Sequence, residues 1–511
     1  DGGTLTISRS PIIDSDMINY FQFLLSTQTS GITLEYGKIK KADGTILVDY
    51  DPNQSPKQQV SRAGRDFFMA ALGYRWASIA ELSAAREAAT PGTVNQWTAT
   101  NQVKPRNLPG QVNEYGFDVG NYGTRAWWVV KASSIDVLTF DPFTLEGNGE
   151  DYSGFGRSLA INQSDLFVRH NGWNQPGIYF FNWNENNQSY EKNLLESPDV
   201  ELKEEFGTAK IAASEDMLAV ASSSSGGSNL VIFDLSSSTP AKLQKFTNLE
   251  VVGSVDFDGK VLVTGGKSVK VFTKGVGGVF SLTTSIYGDS DTTQQVVAVS
   301  NNIIAVGDYQ DSFDADGNGN EWQYGSVSIF KPNSNNLNDW ILSEKLISRE
   351  ITASRARFGA SVSLSNTHLA IGEPHKNDNS QNNNYIINQG AVHLYKISAS
   401  GKIEFFSSIY SPNPRNYGQF GSCVALDGDL LIVGAPGEDS ENGSKSGLVY
   451  VYRIFEGGVS LNNLLVHPNT QGNIDAEFGD SLAIDGLNIL VGSRYFGTNG
   501  AGSAVLFQGR N

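Results

Sequence analysis

One stretch of this 511-residue chain sets oxygen ligands at alternating positions: Asp314, Asp316, Asn318, Asn320 and Glu321 surround Gly319 in DADGNGNE. A hard divalent cation needs about six to eight oxygens, and alternation with a glycine at the sharp bend is how a short loop supplies them. The spacing matches the opening of a calcium loop. Its twelfth position is Gly325, so the closing bidentate acid is missing, and Glu321 or Asp308 is the candidate substitute. Two readings stand, a calcium site and a plain Asp/Asn/Gly surface loop. A second and sparser acidic loop, 437–442, carries Glu438 and Asp439.

Nucleophilic and acid–base chemistry have less to work with. The sequence has no HExxH, GxSxG or P-loop, and the five histidines at 170, 368, 375, 393 and 467 are scattered. Cys423 sits beside Val424 and Leu426 and reads as a small core residue. His393 falls in an apolar strand-like run and reads as a sheet residue. Carboxylates are too frequent for spacing alone to nominate an acid/base pair. The expectation is a protein that is not an enzyme.

Recognition chemistry is better represented. Trp322 and Tyr324 close one polar loop, 308–324, while His375 and Tyr385 lie in the next, 373–389, and a third runs over 436–446. Rings held in such loops can stack on a sugar or a partner side chain. The alternative is insertion tolerated at a surface.

These loops need a scaffold, and the chain repeats one. Phe358-Gly359, Phe420-Gly421 and Phe478-Gly479 are each followed fourteen residues later by a glycine ending an apolar run: Gly372, Gly434 and Gly492. A third run opens on a small residue: GAVHLY (390–395), GLVYVY (447–452), GSAVLF (502–507). Seven such units, each of four strands A to D, predict a mainly β, seven-bladed propeller over 134–511. Asp427-Gly428, Asp258-Gly259 and Asp485-Gly486 suit tight A–B hairpins. The last unit lacks its D strand, and a spare strand lies upstream at 137–144. Pairing the two closes the ring and leaves no open edge. Some copies are degenerate: Val252-Gly253 and Thr293-Gln294 replace Phe-Gly, and Arg169 takes a glycine position.

Residues 1–133 do not share the repeat and read as a small α+β domain. A helix is expected over 58–72, and a second begins at Ser78 with Glu81 as its capping partner. Strands are expected at 31–39, 45–50 and 125–131. The chain opens on Asp1 with no apolar leader and reads as processed or excised. No apolar run approaches the roughly 18 residues of a membrane span. The net charge is −17, with the acidic excess lying beyond residue 135. Such a surface repels phosphate backbones, so no nucleic acid partner is expected.

The Phe-Gly…Gly-Ala-Pro pattern, best in Phe420-Gly421 and Gly434-Ala435-Pro436, resembles the FG-GAP repeat of integrin α-subunit heads and of bacterial and fungal propellers that include lectins. The resemblance covers roughly 150–511. It implies a seven-bladed propeller used for adhesion or ligand recognition. Many such proteins hold calcium in an acidic A–B loop, and here the A–B turns are too short for that. The order of two helices, Trp97 and a Gly/Asn-rich stretch into Trp127-Trp128 loosely resembles a C-type-lectin-like domain; its cysteines and sugar-binding carboxylate–amide motifs are absent. Trp97, Tyr115, Tyr122, Trp127 and Trp128 read as core and loop packing, with an aromatic binding patch as the alternative.

Together these features point to a recognition or adhesion protein at a cell or virion surface, or outside the cell. It would bind a glycan or protein ligand through the B–C loops, with calcium as the one candidate cofactor. The alternative is a structural subunit of an external assembly, a virion surface or an appendage. A hydrolytic enzyme is the third and weakest reading.

Overall fold

The computed structural model describes residues 138–510 apart from short segments, the longest being 313–323 and 378–385; before residue 132 it describes only short strands. The chain divides into two compact units, Asp1–Asp136 with Arg453–Asn462, and Val137–Tyr452 with Asn463–Asn511.

In the first unit Ile32–Glu35, Lys38–Lys41 and Ile46–Asp49 form a three-stranded antiparallel sheet. Tyr74–Trp76 pairs with Val129–Lys131, and Phe117–Asp118 with Arg125–Ala126. The helices expected at 58–72 and from Ser78 lie outside the described residues, as do Trp97, Tyr115, Tyr122, Trp127 and Trp128.

Residues 139–510 form a seven-bladed propeller of four-stranded antiparallel sheets. Blades 1 to 6 span 159–195, 211–249, 252–287, 296–347, 361–410 and 423–465. Blade 7 takes Ser481–Asp485, Asn488–Ser493 and Ser503–Arg510 from the end of the chain and Thr139–Leu145 from before blade 1. In that pairing Ala504 faces Leu145 and Arg510 faces Thr139. The upstream strand thus fills the place that the repeat leaves empty.

Strands B and C are buried on both faces because each blade lies between two others, so they read as near-continuous apolar runs such as LLIVGA (430–435). Strand D is the exposed one, as in Ala241–Leu249. The core therefore lies between blades. Ala425, Leu430, Ile432, Val449 and Val451 of blade 6 pack with Phe478, Ile489, Val491, Val505 and Phe507 of blade 7.

The Phe-Gly turn joins each of blades 5, 6, 7 and 1 to the one before it. Phe358, Phe420, Phe478 and Phe155 are all fully buried. Each phenylalanine N–H donates to the preceding blade just before its strand C: Phe420 to Gln389 O (3.0 Å), Phe478 to Ser446 O (3.0 Å), Phe155 to Ala501 O (3.3 Å). The next N–H ties the turn to its own strand B, from Gly421 to Gly434 O and from Gly479 to Gly492 O, both at 2.9 Å. In blade 1 Gly156 N–H donates to Arg169 O at 3.3 Å, so the bond survives where arginine replaces glycine. In blade 4 the Gln295 carbonyl, one residue beyond the Thr293-Gln294 read from the sequence, accepts the Ser254 hydroxyl at 2.8 Å.

In each of blades 4 to 7 two glycines let the next turn approach. A Cβ on Gly434 would lie 2.1 Å from Gly479 O, and one on Gly447 2.1 Å from Phe478 O. Both obstacles are backbone, which cannot rotate away. Gly434→Ala is expected to destabilise the chain by at least about 1–3 kcal/mol, the cost of overpacking a tight site. Gly275→Ala is the control; its Cβ would meet only Val279 O at 3.4 Å, and a change within about 0.5 kcal/mol is expected. Urea midpoints read both, and equal midpoints for the two variants would remove glycine approach as the reason for the motif.

Candidate functional site

The B–C loops and the D–A connections meet along one rim of blades 4 to 7. Phe358 N–H donates to Tyr324 O (3.0 Å) and His375 N–H to Ala356 O (3.1 Å). Tyr417 N–H donates to Ile387 O (2.7 Å), and Gly437 N–H to Gly418 O (3.2 Å). Asp475 N–H reaches Ser444 O (3.0 Å), and Ser493 Oγ donates to Ala476 O (2.6 Å). Loops of successive blades are thus hydrogen-bonded in series.

Three D–A turns on this rim share one backbone form. The residues three and one before the phenylalanine are left-handed: Arg355 and Arg357 (φ 63° each), Tyr417 and Gln419 (61° and 55°), Asp475 and Glu477 (57° and 54°). The residue between them is small and buried: Ala356, Gly418 or Ala476. One geometry presents basic, aromatic/amide and acidic pairs in turn. Non-glycine residues avoid positive φ, so the surrounding hydrogen bonds must hold these turns. Two pairs are neutral or compensated: Glu477 meets Arg494 (2.7 Å) and Asp475 meets Lys445 (3.5 Å).

The residues nominated from the sequence fall differently. Asp314, Asp316, Asn318, Asn320, Glu321 and Trp322 lie in 313–323, and Tyr385 in 378–385, outside the described residues. Tyr324 and His375 are half-buried on the rim. Burial, then the Arg357 charge, lowers the His375 pKa to about 4, so its ring is neutral at physiological pH. Asp439 is exposed and pairs with Arg415. Glu438 is corrected: it is fully buried and cannot touch a ligand from there. It lies four residues past the glycine ending strand B, as do Asp311 and Lys376, and all three are buried. Each carbonyl accepts the N–H of the glycine opening strand C, with Glu438 O to Gly447 N at 2.9 Å. The position belongs to the repeat rather than to the loop.

Sequence reasoning missed Arg355, Arg357, Tyr417 and Tyr495. The two tyrosines are 52% and 48% exposed, the only large apolar side chains among the exposed described ones to stand on this rim. Fixed offsets from Phe-Gly were the available signal for the first three. It also missed two buried polar groupings. His393 Nε2 lies 2.7 Å from Glu373 Oε2, and its Nδ1 3.0 Å from Ser408 Oγ. The order is that of a Ser–His–acid relay. Ser408, however, is 8% exposed and the other two fully buried, with Lys376 Nζ 3.4 Å from the same carboxylate oxygen. The grouping clasps strands B, C and D of blade 5. In the other, Ser411 Oγ of the blade 5–6 connection donates to Glu438 Oε1, and Tyr450 OH of blade 6 donates to Oε2 at 2.5 Å. Cys423, in strand A of blade 6, has its thiol pushed up to about 11, chiefly by burial, and stays protonated at neutral pH.

A family model described as FG-GAP repeat matches residues 407–452, from strand D of blade 5 to strand C of blade 6. The chain is a β-propeller that carries an FG-GAP repeat. No curated protein matches the sequence. Solved structures similar to this propeller include a protein from Lactobacillus plantarum (14% identity, TM-score 0.40, 61% of this chain and 84% of that one). Another is a functionally unknown protein from Desulfotomaculum acetoxidans DSM 771 (12%, 0.41, 68% and 90%). A third is the WD40 domain of Toxoplasma gondii coronin (11%, 0.42, 73% and 87%).

Burial raises the Glu438 pKa from 4.5 to about 8 against the opposing hydrogen bonds of Ser411 and Tyr450. Between those values the folded propeller holds a proton that the unfolded chain has released. The contribution of Glu438 to stability is therefore full below about pH 4.5 and is lost as pH rises to about 8. Glu438→Gln stays neutral, so the variant is expected to gain on wild type across that window. Urea midpoints at several pH values check this; parallel curves for the two proteins would refute it.

Proposed function

We propose that this FG-GAP propeller is a recognition protein at a cell or virion surface, or outside the cell, binding a glycan or protein ligand through the B–C and D–A loops of blades 4 to 7. The observation that carries the reading is the repeated D–A turn, whose backbone stays constant while its outward pair changes chemistry. A rigid turn presenting varied side chains loses little entropy on binding. The exposed Tyr417 ring supplies a flat apolar face with a polar edge. In this reading calcium orders the loop 308–324 through Asp314, Asp316, Asn318, Asn320 and Glu321, with Trp322 and Tyr324 at its end; Tyr385 extends the surface from 373–389.

A second reading, a subunit of an external assembly, has support of its own. Leu282 in strand D of blade 3 and Ile341 and Leu342 in strand D of blade 4 are about half exposed (48%, 48% and 53%), and a neighbouring subunit would cover them. Among the described residues no helix is long and apolar enough to cross a membrane.

Binding to a glycan array and a peptide array, followed by titration of the best ligand, tests the first reading. Tyr417→Ala is expected to weaken that ligand about three- to tenfold, with the melting temperature unchanged because the ring is exposed. Equal affinity would refute the rim as the binding surface. For calcium, calorimetric titration of the intact chain should give binding that disappears in Asp314→Asn/Asp316→Asn. Among the described residues no group of three His, Cys, Asp or Glu could hold a metal, so undiminished binding in that variant would refute this loop as the site.

A further inference from the structure

The charges of the rim are not evenly cancelled. Arg494 is held by Glu477 and Asp480, Lys445 by Asp475, Arg415 by Asp439 and Lys376 by Glu373. Arg355 and Arg357 are exposed and, among the described residues, have no carboxylate partner. They flank the buried Ala356 in a turn fixed on several sides: Ala356 O accepts His375 N–H, Phe358 N–H donates to Tyr324 O, and Ala360 N–H donates to Arg357 O (3.1 Å). The Arg357 guanidinium lies over the Tyr309 ring, 5.4 Å from its centroid. Stacking orients a guanidinium while leaving its edge donors available to an oxyanion. Two guanidinium groups one residue apart, without a carboxylate partner among the described residues and on a turn held in left-handed geometry, stand against a net charge of −17.

We propose that Arg355 and Arg357, with Tyr309 beneath and Tyr417 on the adjoining turn, form a site for an anionic polysaccharide with closely spaced carboxylate or sulfate groups. This rests on the rim being the binding surface. A glycan fits better than an acidic protein because the rim offers polar-edged rings, not aliphatic anchors. Of the exposed large apolar side chains among the described residues, Leu243, Leu282, Ile341 and Leu342 belong to D strands, and only Tyr417 and Tyr495 stand on the rim. Tyrosine rings stack on sugar faces, whereas tight protein contacts centre on desolvated apolar pockets. Paired guanidinium forks bind carboxylate and sulfate oxygens through charge-assisted hydrogen bonds.

The test uses the intact chain and four immobilised polymers: polygalacturonate, dextran sulfate, neutral dextran and polyglutamate. Wild type is expected to bind polygalacturonate or dextran sulfate at least about tenfold more tightly than dextran or polyglutamate, and whichever leads identifies the anion. Asparagine tolerates positive φ, so Arg355→Asn/Arg357→Asn should keep the turn and the melting temperature while losing about tenfold or more in affinity for the anionic glycan. Preference for polyglutamate, equal binding to dextran, no binding to any polymer, or undiminished binding by the double variant would each overturn the proposal. If Tyr417→Ala weakens a neutral ligand that the double variant still binds, the anionic site falls and the rim stands. If neither variant changes binding of any ligand, both fall.

Discussion

Everything in the propeller depends on backbone meeting backbone between blades. The Phe-Gly turn of one blade lies against two glycines of the blade before it, at distances that no Cβ would permit. The same turn bonds back to its own strand B. Each turn is therefore a joint between two sheets, and its repetition from blade 4 round to blade 1 makes each of these blades a support for the next. The last contact runs from Gly492 to Gly156 O, where the Ser481 hydroxyl also donates. The ring is thus closed twice, by this joint and by Thr139–Leu145 in blade 7.

The joint also explains why the loops are free to vary. The bonds that set it are almost all main chain, so the side chains three and one before the phenylalanine differ among the three turns while the backbone form stays the same. Arginines, a tyrosine with a glutamine, and two acids occupy the same places without altering the turn. Left-handed φ at such residues costs free energy, which the surrounding hydrogen bonds offset. What reaches a ligand is therefore decoupled from what holds the blades.

Polar groups inside the ring follow a related logic. Asp311, Lys376 and Glu438 share one repeat position yet find different partners: Ser326 and Lys345 for the first, Glu373 for the second, Ser411 and Tyr450 for the third. Burying a polar group costs free energy unless it is hydrogen-bonded or paired, and each of these three has such a partner. The Asp427 and Asp485 carboxylates of the A–B turns likewise accept the next turn's amide, at Gly486 (2.6 Å) and Gln163 (2.5 Å). Short turns thus spend their acids on blade-to-blade bonds.

Phe-Gly spacing, the glycine ending strand B and the spare strand at 137–144 were readable from the chain alone, because glycine and buried phenylalanine have few substitutes where backbones touch. The blade count follows from them, even across degenerate copies such as Arg169, whose carbonyl does what the motif requires. The candidate site was readable only as polar loops. Position within a loop does not reveal burial: Glu438 and Asp439 are neighbours, yet one is sealed beneath the rim and the other exposed. Nor does it reveal charge balance, since Glu477 meets Arg494 only when blade 7 folds and Asp475 meets Lys445 only when adjacent blades stack. That stacking leaves Arg355 and Arg357 without a carboxylate partner among the described residues, and Tyr417 exposed. Repetition could be read from the sequence because it acts within and between like units; the partner of each side chain was decided by tertiary structure, because it is set by how strands and loops pack and not by their order in the chain.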